Sequence, residues 1–144
     1  MEDQIRQILK GLGKRIQCVV VVDKAGLPIT SFDTETKQRV NPSMETVVAG
    51  IGAAVLSLAE STSSVINQGN LKELIIKNES GTIIILNAGE NALLIGILPT
   101  HTGYDTPLIS LKTAASQIKK IKIPSSQPAL KPEATSEIFI PKID

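Results

Sequence analysis

The sequence predicts an α/β (α+β) fold: a five-stranded, mainly antiparallel sheet with helices on both faces, ordered helix, strand, strand, long helix, three strands, helix. Three observations carry this expectation. Cys18–Val22, Thr82–Leu86 and Ala92–Leu98 are apolar runs without polar alternation, as central strands covered on both faces require. Segments with apolar residues at helical spacing alternate with them. Short polar breaks such as Asn87–Asn91 join neighbouring strands as hairpins.

Ile5, Ile8, Leu9 and Leu12 share one helical face, and Gly11 and Gly13 end the segment, so a short amphipathic helix is predicted from Glu2 to about Leu12. Cys18–Val22 is the first strand. Asp23-Lys24-Ala25-Gly26 reads as a turn with glycine last, and Leu27–Asp33 as a more polar strand nearer an edge. Asn41-Pro42 is a helix start, with Asn as N-cap and Pro in the first turn. The helix it opens should run to about Ile66. Met44, Val47, Val48, Ile51, Ala54, Val55, Leu58, Thr62, Val65 and Ile66 form its apolar stripe, which is expected to face the sheet. Gly69 is the expected residue past its end.

Leu71–Lys77 is predicted as the third strand, close to an edge, followed by Thr82–Leu86 and Ala92–Leu98. Thr106-Pro107 repeats the cap-plus-proline start, and Leu108, Leu111, Ala115 and Ile118 give the last helix its apolar face. Lys119, Lys120 and Lys122 gather at its C-terminus, where cations suit the helix dipole. Residues 1–122 therefore read as one domain. Residues 123–144 read as a Pro-rich tail that holds four of the eight prolines and ends in a short β-prone patch, Ile138-Phe139-Ile140, expected to dock on a sheet edge or in a groove.

Composition narrows the function classes. At 144 residues the chain can bury about two-thirds of its unfolded surface. With two Phe, one Tyr and no Trp, the core must be aliphatic, and a stacking pocket for a base is not expected. A net charge of +1 gives no field for nucleic acid. One cysteine, Cys18, precludes an internal disulfide and fits a reduced, cytoplasmic setting. The start MEDQIRQILK has no apolar signal region, and no run of about 18 uninterrupted apolar residues predicts a membrane span or direct membrane insertion.

Catalytic signals are sparse. Gly11-Leu12-Gly13-Lys14 lacks phosphate-loop spacing, and Gly50-Ile51-Gly52 lies inside a helix. His101 is the single histidine, and no carboxylate pair, nucleophile triad or metal-ligand spacing is evident. The expectation is a non-enzymatic protein without a cofactor or metal. The side of the long helix opposite the stripe, with Ala49, Ala53, Leu56 and Glu60, is small and nearly uncharged, which reads as a partner-facing surface.

In these features the sequence resembles the roadblock (dynein light chain) domain family. The resemblance rests on Val19-Val20-Val21-Val22-Asp23-Lys24-Ala25-Gly26, Ala53-Ala54-Val55-Leu56-Ser57-Leu58-Ala59-Glu60, Gly69-Asn70-Leu71-Lys72-Glu73-Leu74 and Ala88-Gly89-Glu90-Asn91-Ala92-Leu93-Leu94. It implies a profilin-like sandwich of prokaryotic, stand-alone type that dimerises through its third strand and long helix and regulates or scaffolds a small Ras-like GTPase. The implied dimer interface is Leu71, Lys72, Leu74, Ile76, Ala49, Gly52, Ala53 and Leu56. The implied GTPase surface is Ala49, Ala53, Leu56 and Glu60. Small-molecule sensing and peptide adaptation are the alternatives.

Overall fold

The computed structural model describes residues 1–99 and 103–125. Its elements are α1 (Glu2–Leu9), β1 (Cys18–Asp23), β2 (Pro28–Asp33), α2 (Pro42–Val65), β3 (Leu74–Asn78), β4 (Gly81–Asn87), β5 (Ala92–Pro99) and α3 (Asp105–Lys119), in the predicted order. The strands form one antiparallel sheet ordered β2-β1-β5-β4-β3. The three continuous apolar runs are its three central strands.

Side-chain alternation splits the core in two. Val19, Val21, Ile84, Leu86, Leu94 and Leu98 pack under α1 and α3, together with Ile5, Leu9, Leu111 and Ile118. Val20, Val22, Ile85, Leu93 and Ile95 face the other way, toward α2. Both layers are aliphatic apart from Phe32, as the composition requires.

Several elements begin or end differently from their predictions. α1 stops at Leu9 because the chain tightens through Lys10 and Gly11 into a turn. Asn41 caps α2 as expected, its Oδ1 accepting from the amides of Ser43 (2.9 Å) and Met44 (3.4 Å). At the other end the left-handed position falls to Asn67 (φ 57°), two residues before Gly69. β3 starts at Leu74, so Leu71 and Lys72 precede the strand. α3 starts at Asp105, which places Thr106 and Pro107 inside the first turn, and no side-chain cap closes it. His101 and the tail patch Ile138, Phe139 and Ile140 lie outside the described residues.

Candidate interaction surface

The long helix is turned the opposite way from the sequence expectation. Ala49, Gly52 and Leu56, with Glu45, make its buried side. The large apolar stripe faces out: Val47 is 57 % exposed, Ile51 60 %, Leu58 69 % and Val65 80 %. The reason is steric. The sheet presents bulky Val20, Val22 and Ile95, and the helix makes its closest approach to it on Ala49 and Gly52. A Cβ on Gly52 would stand 2.2 Å from Ile95 Cδ1, so this position demands glycine unless Ile95 moves. Ala49, Gly52 and Leu56 are therefore buried against the sheet and expose no side chain to another molecule, and Ala53 is partly buried beside Gly26.

Glu45 is the unexpected member of the buried seam. It accepts from Arg39 Nε at 2.7 Å and Nη2 at 3.1 Å, and from the Ser31 hydroxyl. Burial alone would raise its carboxyl pKa. The hydrogen bonds from Arg39 and Ser31, with the charges of Arg39 and Arg6, outweigh burial and hold it below the usual carboxylate range. Arg39 also meets Glu2 at 3.2 Å, which ties α1, β2 and α2 together.

α2 lies over β1 and β5 and leaves Ile83 of β4 and Leu74 and Ile76 of β3, on the same face, only partly covered. Between them runs an apolar groove of about 190 Å³, walled by Val47, Ile51 and Val55 of α2 and by Ile76, Ile83 and Ile97 of the sheet. β3 pairs with β4 alone, so its outer edge is open among the described residues. Leu74 and Ile76, predicted at the interface, stand on this edge and face the groove's side of the sheet. The opposite edge is guarded: Arg6 Nη1 donates to the Ser31 carbonyl at 2.7 Å and Arg39 Nη2 to the Ile29 carbonyl at 3.5 Å. One edge of the sheet is thus occupied by guanidinium groups, and the other, led by Leu74, Ile75 and Ile76, has no neighbouring strand among the described residues.

By length and composition α2 is apolar enough to cross a membrane, although its sequence is interrupted by polar residues. Here it is fixed along the sheet by the buried seam, and its high hydropathy comes from the outward stripe. An aliphatic stripe along a helix about 36 Å long is the kind of patch that marks an interaction site.

Glu60 is not a free surface carboxylate. Its Oε2 accepts from Asn87 Nδ2 at 3.0 Å, and Asn87 Oδ1 in turn accepts from Lys24 Nζ. Burial lowers the Lys24 ammonium pKa, with the Glu60 charge opposing. These groups line a polar hollow of about 740 Å³ at the end of the sandwich, with Asn70 and Lys119. No cluster of three potential metal ligands occurs among the described residues.

The Roadblock/LC7 domain family matches residues 12–98. The sequence matches none of the curated proteins. Several solved structures share the fold. A Roadblock/LC7 domain from Streptomyces avermitilis is 11 % identical with a TM-score of 0.69, over 83 % of this chain and 94 % of that one. The gliding protein MglB from Thermus thermophilus is 13 % identical with a TM-score of 0.72, over 82 % and 87 %. MglB of Myxococcus xanthus is 17 % identical with a TM-score of 0.71, over 85 % and 93 %. At such identities the likeness speaks for the fold, and the sequence match from Leu12 to Leu98, through α2 and all five strands, speaks for ancestry. The chain belongs to the Roadblock/LC7 domain family.

Proposed function

We propose that this chain is half of a symmetric, non-enzymatic platform, with two copies joined through the open edge of β3 and the outward stripe of α2, and that the platform binds a small Ras-like GTPase. The observation that carries the reading is the exposed aliphatic stripe with Ile51 at its centre, next to a sheet edge with no neighbouring strand among the described residues. Covering Val47, Ile51, Leu58 and Val65 contributes on the order of 1 kcal/mol each per protomer. A two-fold contact would pair β3 with β3 and bring the two copies of α2 together. One solved MglB has a tetrameric arrangement, an instance of self-association on this fold.

The GTPase surface moves with the corrected helix. Ala49 and Leu56 are buried and Glu60 is tied to Asn87. The part of α2 left open by such a dimer is its small polar side, Thr46, Gly50, Ser57 and Ser61, all exposed. Any effect on GTP hydrolysis would come from ordering the GTPase's own loops, because Arg39, the arginine nearest α2, is held by Glu45 and Glu2. Affinity capture with small GTPases of the same genome, using the wild-type chain and Ser57→Arg, tests this: capture lost in the variant supports the surface, and equal capture refutes it.

The 740 Å³ hollow favours a second reading, a small-molecule sensor at the end of the sandwich. A thermal-shift screen with polar metabolites discriminates, since a ligand at a hundred times its dissociation constant stabilises by about 2.7 kcal/mol.

A further inference from the structure

The chain is held at one particular corner as it leaves α3. Ile123 is buried beside the β4–β5 turn, and Asn91 Nδ2 donates to its carbonyl at 2.7 Å. A hollow of about 320 Å³ lies against Ile123, Gly89 and Glu90. The 740 Å³ hollow shares Gly89 and Glu90 with it and reaches Asn70 and Leu71, the approach to β3. The tail therefore starts at the end of the sheet where β3 begins, and the two hollows, which share Gly89, Glu90 and Lys119, lie between its root and Leu71.

We propose that Glu137–Ile140 adds to the open edge of β3 of its own chain as an extra strand and competes there with the second copy. The inference rests on the dimer proposed above. Twelve residues, 126–137, separate the last described residue from Ile138. Extended, they span up to about 40 Å, against roughly 35 Å for the width of a domain of this size. The edge is within reach. Strand alternation puts Ile138 and Ile140 on one face, toward the groove walled by Ile51, Ile76 and Ile83. Charge agrees: exposed Lys72 and Lys77 flank the edge, and Glu133 and Glu137 precede the patch. The β2 edge is closed to the same segment by Arg6 and Arg39.

A tether of this length supplies an effective concentration of about 1 mM. A short strand that binds in isolation at about 0.1 mM is then docked roughly ten times as often as it is free. Dimerisation must displace one tail from each protomer, so the penalty is squared, to roughly 100-fold.

The test compares the full-length chain with a full-length Ile138→Ser/Phe139→Ser/Ile140→Ser variant, whose changes lie outside the described residues. Sedimentation should show the variant dimerising roughly 100-fold more tightly. Amide exchange at a concentration where both are monomeric should show Leu74–Asn78 less protected in the variant. Equal exchange in the two monomers overturns the docking, and equal dimer constants overturn the competition while the dimer itself stands. If the variant stays monomeric at hundreds of micromolar, the dimer is contradicted and the competition with it.

Discussion

Arg39 holds Glu45 through two hydrogen bonds, 2.7 Å from Nε and 3.1 Å from Nη2, where α2 meets β2. Glu45 is only 4 % exposed, so it is a charge in the seam of the fold. Ser31 completes the arrangement, with its hydroxyl donating to Glu45 and accepting from the Val40 amide at 2.9 Å.

That pair gives the fold an acid limit. The folded-state pKa of Glu45 is depressed, so its stabilisation is complete above the unfolded carboxylate value of about 4.3 and is lost as pH falls through the lower folded value. Thermal midpoints between pH 7 and 3 should fall more steeply for the wild type than for Glu45→Gln. Arg39→Ala should cost about 2 kcal/mol at pH 7, less than for a fully buried pair because Arg39 is partly exposed. Parallel pH profiles for wild type and Glu45→Gln would show that the pair contributes nothing.

Two glycines on different sides of α2 should respond in opposite directions. A Cβ on Gly50 meets nothing within 4 Å, so Gly50→Ala should stabilise by about 0.5–1 kcal/mol through helix propensity. Gly52→Val should destabilise by about 2 kcal/mol, because Ile95 fills the space its side chain needs. Denaturant midpoints measure both, and equal effects would mean that the helix does not approach the sheet on Gly52.

Cys18 should be inert while the protein is folded. Burial first, and the nearby Asp33 charge second, push its thiol up to about 11. Alkylation at pH 8 should therefore follow the rate of opening of the fold. A rate matching that of a free thiol would place Cys18 outside the core.

The order and type of all eight elements could be read from the sequence, because the β-branched runs and the Asn41-Pro42 start are strong local signals. The orientation of α2 could not. Periodicity finds an apolar arc and assigns it to the helix's own core. In α2 two arcs are apolar, a small one at Ala49, Gly52 and Leu56 and a large one at Val47, Ile51 and Leu58, and only the packing against Val20, Val22 and Ile95 decides between them. Glu45, the carboxylate of the buried side, finds its partner Arg39 in a loop whose path no spacing rule gives. The hint available was Gly52 itself, a helix-interior glycine in register with Ala49 and Leu56. β3 as an edge strand was legible from its charges and length, and the sheet order agrees.

The two stripes of α2 also separate stability from assembly. Ile51 is 60 % exposed in the single chain. Ile51→Glu should leave the unfolding free energy of the dilute monomer within about 0.5 kcal/mol of wild type. Leu56→Ala, on the buried side, should cost about 2–4 kcal/mol. Chemical denaturation at low concentration reads both, and a large loss for Ile51→Glu would return the outward stripe to the core.

The most direct measurement is the concentration-dependent mass of the full-length wild type beside full-length Ile51→Glu by sedimentation equilibrium. A reversible approach to the mass of two chains for the wild type, and of one chain for Ile51→Glu, is the predicted result. A chain that remains single at hundreds of micromolar even when Ile138, Phe139 and Ile140 are changed to Ser, or an Ile51→Glu variant that pairs as tightly as wild type, contradicts it.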